Sequence, residues 1–479
     1  MAKATHNLPL MLWIFLPFLL LNIANRVHCF EEKKVLVLNK FQWKQQSNVP
    51  RCLSQKSRRE KNAIILEMKP WDYCFGMIKN WDAKLQSRLI FDNNRVQSLQ
   101  SRIRKAVSSR IEDQSDTQIP LSSGIKLQTL NYIVTVELGG KKMMVIIDTG
   151  SDLTWVQCQP CKSCYSQQDP LFDPAISPSY QSILCNSSTC QSLQSSTANS
   201  GACGTNQRTC NYVVSYGDGS YTWGELGHER LNLGTTAVED FVFGCGRNNK
   251  GLFGGAAGLM GLGRSDLSLV SQTYTKFGGV FSYCLPSTET DASGSLTLGG
   301  DSSVYKNSTP ISYTKMISSS ELSTSYFLNL TGISIGGVAL QPPGFANGGM
   351  LIDSGTVITR LAPSVYRALR AEFLKQFSGF PPAPGFSILD TCFNLSEYEE
   401  VNIPILRMYF EEAVEVDVDV TGIFYFIKTD ASQVCLALAS LSNENEIGII
   451  GNYQQKNLRI VYDTKESKLG FAEETCSFV

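Results

Sequence analysis

Residues 143–155 read MMVIIDTGSDLTW and residues 350–361 read MLIDSGTVITRL, and the two stretches match each other. In each, an apolar run delivers one aspartate to a turn of small residues: Asp148-Thr149-Gly150-Ser151 in the first and Asp353-Ser354-Gly355-Thr356 in the second. The aspartates stand 205 positions apart (353 − 148). A carboxylate carried to the edge of an apolar core must be hydrogen-bonded or neutral. The glycine lets backbone come close to it, and the neighbouring hydroxyls can donate to it or lock one loop against the other. A single turn of this kind is an ordinary strand ending. Two of them suggest halves facing each other across a pseudo-twofold axis. Carboxyl groups brought together at roughly 3 Å cannot both stay ionised, so the pair shares one proton and offers a base and an acid to the same water.

Each half also carries a second apolar-apolar-Gly run, Leu259-Met260-Gly261 and Ile449-Ile450-Gly451. With these runs the pattern resembles the pepsin-like aspartic proteinases. The resemblance implies a mainly β, bilobal fold, two pseudo-symmetric β-rich lobes with the active-site cleft between them, and Asp148 and Asp353 as the catalytic pair. It spans about Tyr132 to Cys476.

Upstream of this region the texture differs. Residues 1–29 have a short polar leader with Lys3 and an apolar run from Leu8 to Leu21, as a signal peptide does; cleavage is expected after Cys29, with Ala24 as the other site. The run is short for a membrane span of about 20 apolar residues, so no anchor is expected. From Phe30 to Leu121 there are 18 Lys+Arg against 10 Asp+Glu, a balance of +8; from Ser122 onward there are 22 against 33, a balance of −11. Leu85, Leu89, Val96, Leu99 and Ile103 step as one helical face, whereas after Gly124 the pattern turns to strands. Residues 30–121 therefore read as a removable basic prosegment, the other reading being a permanent helical domain. The remainder divides into lobes at 122–312 and 313–479.

The chain as a whole has 479 residues, 43% hydrophobic and 18% charged, with a net charge of −1, which points to neither nucleic acid nor an acidic surface as partner. Of fifteen cysteines, one leaves with the leader, Cys52 and Cys74 lie in the prosegment, and twelve follow, an even number suited to disulfides in an exported protein. By spacing alone Cys158, Cys161 and Cys164 could hold a metal; export favours disulfides, and no metal or other cofactor is expected. Asn186, Asn307, Asn329 and Asn394 begin N-glycosylation sequons, with Asn329 in a strand-like run.

Among pepsin-like enzymes the chain looks most like the nepenthesin-like plant proteinases, which carry a cysteine-rich insert after the first aspartate turn, here Cys158 to Cys210. That resemblance implies the pairs Cys158–Cys161, Cys164–Cys245, Cys185–Cys210, Cys190–Cys203, Cys284–Cys476 and Cys392–Cys435. The Asp218-Gly219 turn between two aromatic and β-branched runs is a hairpin signal. In the resembled family such a hairpin is the flap over the substrate, with Tyr216 and Gly217 at its tip and Trp155 as the tyrosine's hydrogen-bond partner. Gly254 to Gly263 lacks the Gly-Lys-Ser/Thr ending of a phosphate loop and reads as a loop crossing behind Asp148. Pro363 is placed to start a helix with Tyr366, Leu369, Phe373 and Phe377 inward. Leu458–Asp463 and Gly470–Ala472 read as closing strands of the second lobe.

His6 and His28 leave with the leader, so His228 is the sole histidine after it. It lies in Gly-His-Glu-Arg-Leu, outside any H-E-x-x-H motif, which argues against Ser-His, Cys-His and zinc hydrolases. The expectation is a secreted, monomeric aspartic endopeptidase made as a zymogen. It would act on protein or peptide substrates at acid pH and be silenced by its own prosegment. Its destination would be the extracellular space, with the vacuole as the other choice. A catalytically silent binder or inhibitor of the same fold is the competing reading.

Overall fold

The computed structural model describes residues 32–38, 56–70, 81–108, 132–476 and 478, apart from 205–207, 217–219, 252, 288–292, 306–307, 318–323 and 342–348. The leader, Cys52, Cys74, Gly217, Asn307 and the junction near residue 121 lie outside the described residues.

The two halves are built on one plan. Lys141–Asp148 runs parallel to Gly258–Gly261, with Gly261 opposite Asp148. Met350–Ile352 likewise runs parallel to Ile449–Ile450. The repeated apolar-apolar-Gly runs are thus the strands that flank the two aspartate strands. Glycine is required where these strands cross the returning chain: a Cβ on Gly258 would fall 1.9 Å from the Trp155 carbonyl oxygen, and one on Gly261 would fall 2.0 Å from that of Asp152.

A seven-stranded antiparallel sheet joins the halves. Its order is Ser57–Glu60, Ala63–Pro70, Gly294–Leu298, Val280–Cys284, Leu458–Asp463, Lys468–Glu473 and Ser312–Ile317. Leu458–Asp463 and Lys468–Glu473 therefore belong to this shared sheet and do not simply close the second lobe. The basic segment is built into it as well. In Ala63–Pro70, Ile64, Leu66 and Met68 are fully buried, and Lys33–Val37 pairs with Glu400–Pro404 on the second lobe.

The long helix of this segment spans Trp81–Ser108. Leu85, Leu89, Val96, Leu99 and Ile103 are all buried, as their spacing predicts. Leu85 and Leu89 pack with Val357, Ile358 and Tyr425, and Val96 and Leu99 with Phe327, Leu351 and Ile449. The apolar face of the helix thus rests on the second lobe. A second helix, Pro363–Gln376, starts at its proline and buries Tyr366, Leu369 and Phe373. Among the described residues no helix is long and apolar enough to cross a membrane.

Six disulfides are present among the described residues. Cys284–Cys476 and Cys392–Cys435 form as expected; the four pairings implied within and around the insert do not. Cys158 joins Cys245 and Cys161 joins Cys164, while Cys185 joins Cys203 and Cys190 joins Cys210. Strand pairing explains the first change: Trp155–Gln157 lies parallel to Gly244–Gly246, and the Cys158 N–H donates to the Gly246 carbonyl at 2.9 Å, which sets Cys158 beside Cys245. Burial explains the second, because Cys190 and Cys210 are both inside the lobe and Cys203 is exposed.

Candidate active site

The two aspartate turns interlock through their hydroxyl residues. The Ser354 N–H donates to Thr149 Oγ1 at 2.9 Å, and the Thr149 N–H donates to Ser354 Oγ at 3.1 Å. This reciprocal grip involves only buried groups, so it holds the turns in register without competition from water. Asp148 and Asp353 are 1% and 0% exposed. Asp148 Oδ1 accepts from the Gly150 N–H at 3.0 Å and Oδ2 from Ser151 Oγ at 2.8 Å. Asp353 Oδ1 accepts from the Gly355 N–H at 2.9 Å and Oδ2 from Thr356 Oγ1 at 2.6 Å. Every residue of the two sequence-predicted turns is therefore in the cluster.

The glycines let the carboxylates meet. A Cβ on Gly150 would sit 2.8 Å from Asp353 Oδ1, and one on Gly355 would sit 2.6 Å from Asp148 Oδ1. Any side chain would push the opposite aspartate away. The second turn is further braced by Asn452, whose Nδ2 donates to the Ser354 carbonyl at 2.9 Å.

Arg95, from the long helix, lies between the aspartates. Its Nη2 donates to Asp148 Oδ1 at 2.7 Å and to Asp353 Oδ1 at 2.9 Å, and its Nε donates to Asp353 Oδ2 at 2.9 Å. Burial works against the guanidinium charge, but the two carboxylates outweigh it and raise the arginine's pKa. Burial likewise pushes Asp353 up, and the charge and hydrogen bonds of Arg95, with those of Thr356 and Gly355, hold its carboxyl below the ordinary range. One cation thus takes the place that a shared proton would have between two bare carboxylates.

On the first lobe Cys210–Ser215 and Tyr221–Leu233 form the antiparallel hairpin read from the sequence, with Tyr221 opposite Ser215. Trp155 Nε1 donates to Tyr216 Oη at 2.7 Å, the contact the resemblance implied. Phe253 packs edge-on against both rings. His228 is remote from the aspartates, its Nδ1 3.1 Å from the Asp240 carbonyl oxygen. Of the sequon residues, Asn186 is exposed, Asn394 is half-buried, and Asn329 is half-buried with Nδ2 donating to Glu411 at 2.6 Å.

Three further residues had no specific signal in the sequence. Arg95 is one of 18 basic residues in its segment, and only the fold selects it. Gln100 clamps the backbone of Ile447, donating to its carbonyl at 2.6 Å and accepting from its N–H at 3.0 Å. Asp152 is buried beside Asp148, and its Oδ1 accepts from the Ser265 N–H at 2.7 Å.

Two interlocked Asp-Thr/Ser-Gly turns at the junction of duplicated β lobes define the pepsin-like aspartic proteinase architecture, and comparison with known proteins narrows it. Residues 132–300 match the family model described as xylanase inhibitor N-terminal, and residues 325–473 match its C-terminal counterpart. The chain is 44% identical to an aspartyl protease family protein of Arabidopsis thaliana over 81% of this chain and 82% of that one. It is 37% identical to aspartic proteinase nepenthesin-1 of Nepenthes gracilis over 72% and 78%. The chain belongs to the plant branch of the pepsin-like aspartic proteinase family that includes the nepenthesins. Among solved structures, the soybean basic 7S globulin superposes with a TM-score of 0.56 at 20% identity, over 72% of this chain and 92% of that one, and shares the fold.

Proposed function

We propose that this chain is the zymogen of a secreted aspartic endopeptidase, with Asp148 and Asp353 as its catalytic pair and residues 30–121 as its inhibitory prosegment. The observation that carries this reading is Arg95, which donates to both carboxylates of an otherwise intact pair. With Arg95 gone, the pair takes up one proton. The ionised carboxylate then removes a proton from a water as its oxygen attacks the scissile carbonyl carbon, and the protonated one donates to the carbonyl oxygen. Collapse of the tetrahedral diol breaks the C–N bond as the amine nitrogen is protonated. The flap hairpin would close over the peptide, Tyr216 being oriented by Trp155.

A second reading, a silent binding protein, is favoured by the inhibitor names of the matching family models. The intact pair and its hydroxyl partners support the enzyme instead. The two readings separate in one assay, cleavage of denatured globin by the full chain after incubation at acid pH. Asp148→Asn and Asp353→Asn are each expected to abolish cleavage, and the double variant to be little worse, because the pair acts as one unit. A folded Asp353→Asn protein retaining more than a few per cent of the activity would refute the shared-proton mechanism. An inert wild-type protein would favour the binder.

A further inference from the structure

One turn before Arg95 on the same helix, Asp92 points into the second lobe and is 4% exposed. Its Oδ1 accepts from the Val357 N–H at 2.5 Å, and its Oδ2 accepts from the Ile358 N–H at 3.2 Å and from Arg360 Nη2 at 2.8 Å. Arg360 is itself 1% exposed and is oriented by a second bond, Nη1 to the Ile358 carbonyl at 2.8 Å. Three donors thus converge on one carboxylate, and all three belong to the lobe that remains when the helix leaves. They lie just past the second aspartate turn, Val357 four residues and Arg360 seven residues after Asp353. The seventh residue after Asp148 is Trp155, which holds the flap tyrosine. At the matching position of the duplicated plan the second lobe therefore carries a cation.

A buried guanidinium stripped of its carboxylate is costly, and two freed amides beside it add to the demand for an anion. Burial pulls the Arg360 guanidinium below its ordinary pKa, and Asp92 opposes that, so the pocket favours an anionic occupant. We propose that, once the helix has left, Arg360 with the Val357 and Ile358 amides receives an Asp or Glu side chain of the peptide substrate, which makes Arg360 a specificity-determining residue. Asp92 is the stand-in for that side chain in the latent protein. The inference rests on the peptidase reading above.

The test walks a single Asp through about four positions on each side of one cleavable bond, against the same peptides with Asn. It uses the full chain after acid activation, assayed at pH 5, where a free Asp side chain of pKa about 3.9 is mostly ionised. At one or two positions Asp is expected to exceed Asn by about tenfold in kcat/KM, as a charge-assisted bond would give. In Arg360→Leu that ratio is expected to fall to about one, and Arg360→Lys should restore part of it. Equal kcat/KM for Asp and Asn at every position in the wild-type enzyme would overturn the inference without needing any enzyme variant. An Asp preference unchanged in Arg360→Leu would overturn it too. Cleavage of none of the peptides would refute the peptidase reading and this inference with it.

Discussion

At the scale of single residues, Asp152 sits in an environment unlike that of an ordinary aspartate. Burial pushes its pKa up to about 7, against the lowering effects of the Ser265 hydrogen bonds and of Arg102. An acid whose folded pKa is raised binds more protons in the folded state than in the unfolded one. Its contribution is therefore fully present below the unfolded value of about 3.9 and is lost as pH rises through the folded value. The fold should be more stable at pH 4 than at pH 7 on this account. Asp152→Asn, which keeps the oxygen facing the Ser265 N–H, is expected to flatten the dependence of Tm on pH between 4 and 7. Thermal melts of wild type and variant across that range check this; parallel curves would show that Asp152 is not the source.

At the scale of elements, the helix Trp81–Ser108 rests its apolar face on the second lobe and reaches the first lobe's aspartate through Arg95. Because Arg95 holds Asp353 below the ordinary carboxylate range, the contact favours the ionised form of Asp353. It is complete above the ordinary Asp value of about 4 and is lost as pH falls through the lowered one. On this account the contact of Arg95 with Asp353 should persist to a pH below the ordinary carboxylate range. In Arg95→Gln the shift disappears. The midpoint of acid activation should then move upward, with the lag before globin cleavage shortened at pH 5. An unchanged pH midpoint would mean that Arg95 does not control release.

At the scale of the whole molecule, the basic segment does more than lie on the surface. Ala63–Pro70 is an inner strand of the sheet shared by both lobes, and Lys33–Val37 is paired with the second lobe. A cut near residues 110–125 would sever the chain without freeing these strands, since their buried apolar side chains and ladder bonds persist. After such a cut at pH 7 the two fragments should co-elute on size exclusion and separate only when the pH is lowered. Immediate separation at pH 7 would show that the strands contribute little to retention.

What the sequence by itself determined is what depends on short-range pattern and on internal repetition. Two Asp-Thr/Ser-Gly turns after apolar runs, each with its apolar-apolar-Gly partner, suggested two facing halves, carried the resemblance that implied a mainly β bilobal fold, and nominated every residue of the two turns. The step of Leu85, Leu89, Val96, Leu99 and Ile103 likewise marked a helical face, because a helix exposes its period in the chain itself. What only the tertiary structure decided are relations between residues far apart in the chain. Arg95 among the basic residues, Asp92 against Arg360, and Ala63–Pro70 inside the shared sheet are brought into place by packing, to which no local pattern points. The insert disulfides belong to the same class: Cys158 meets Cys245 because two strands run side by side, a pairing that cysteine spacing does not encode.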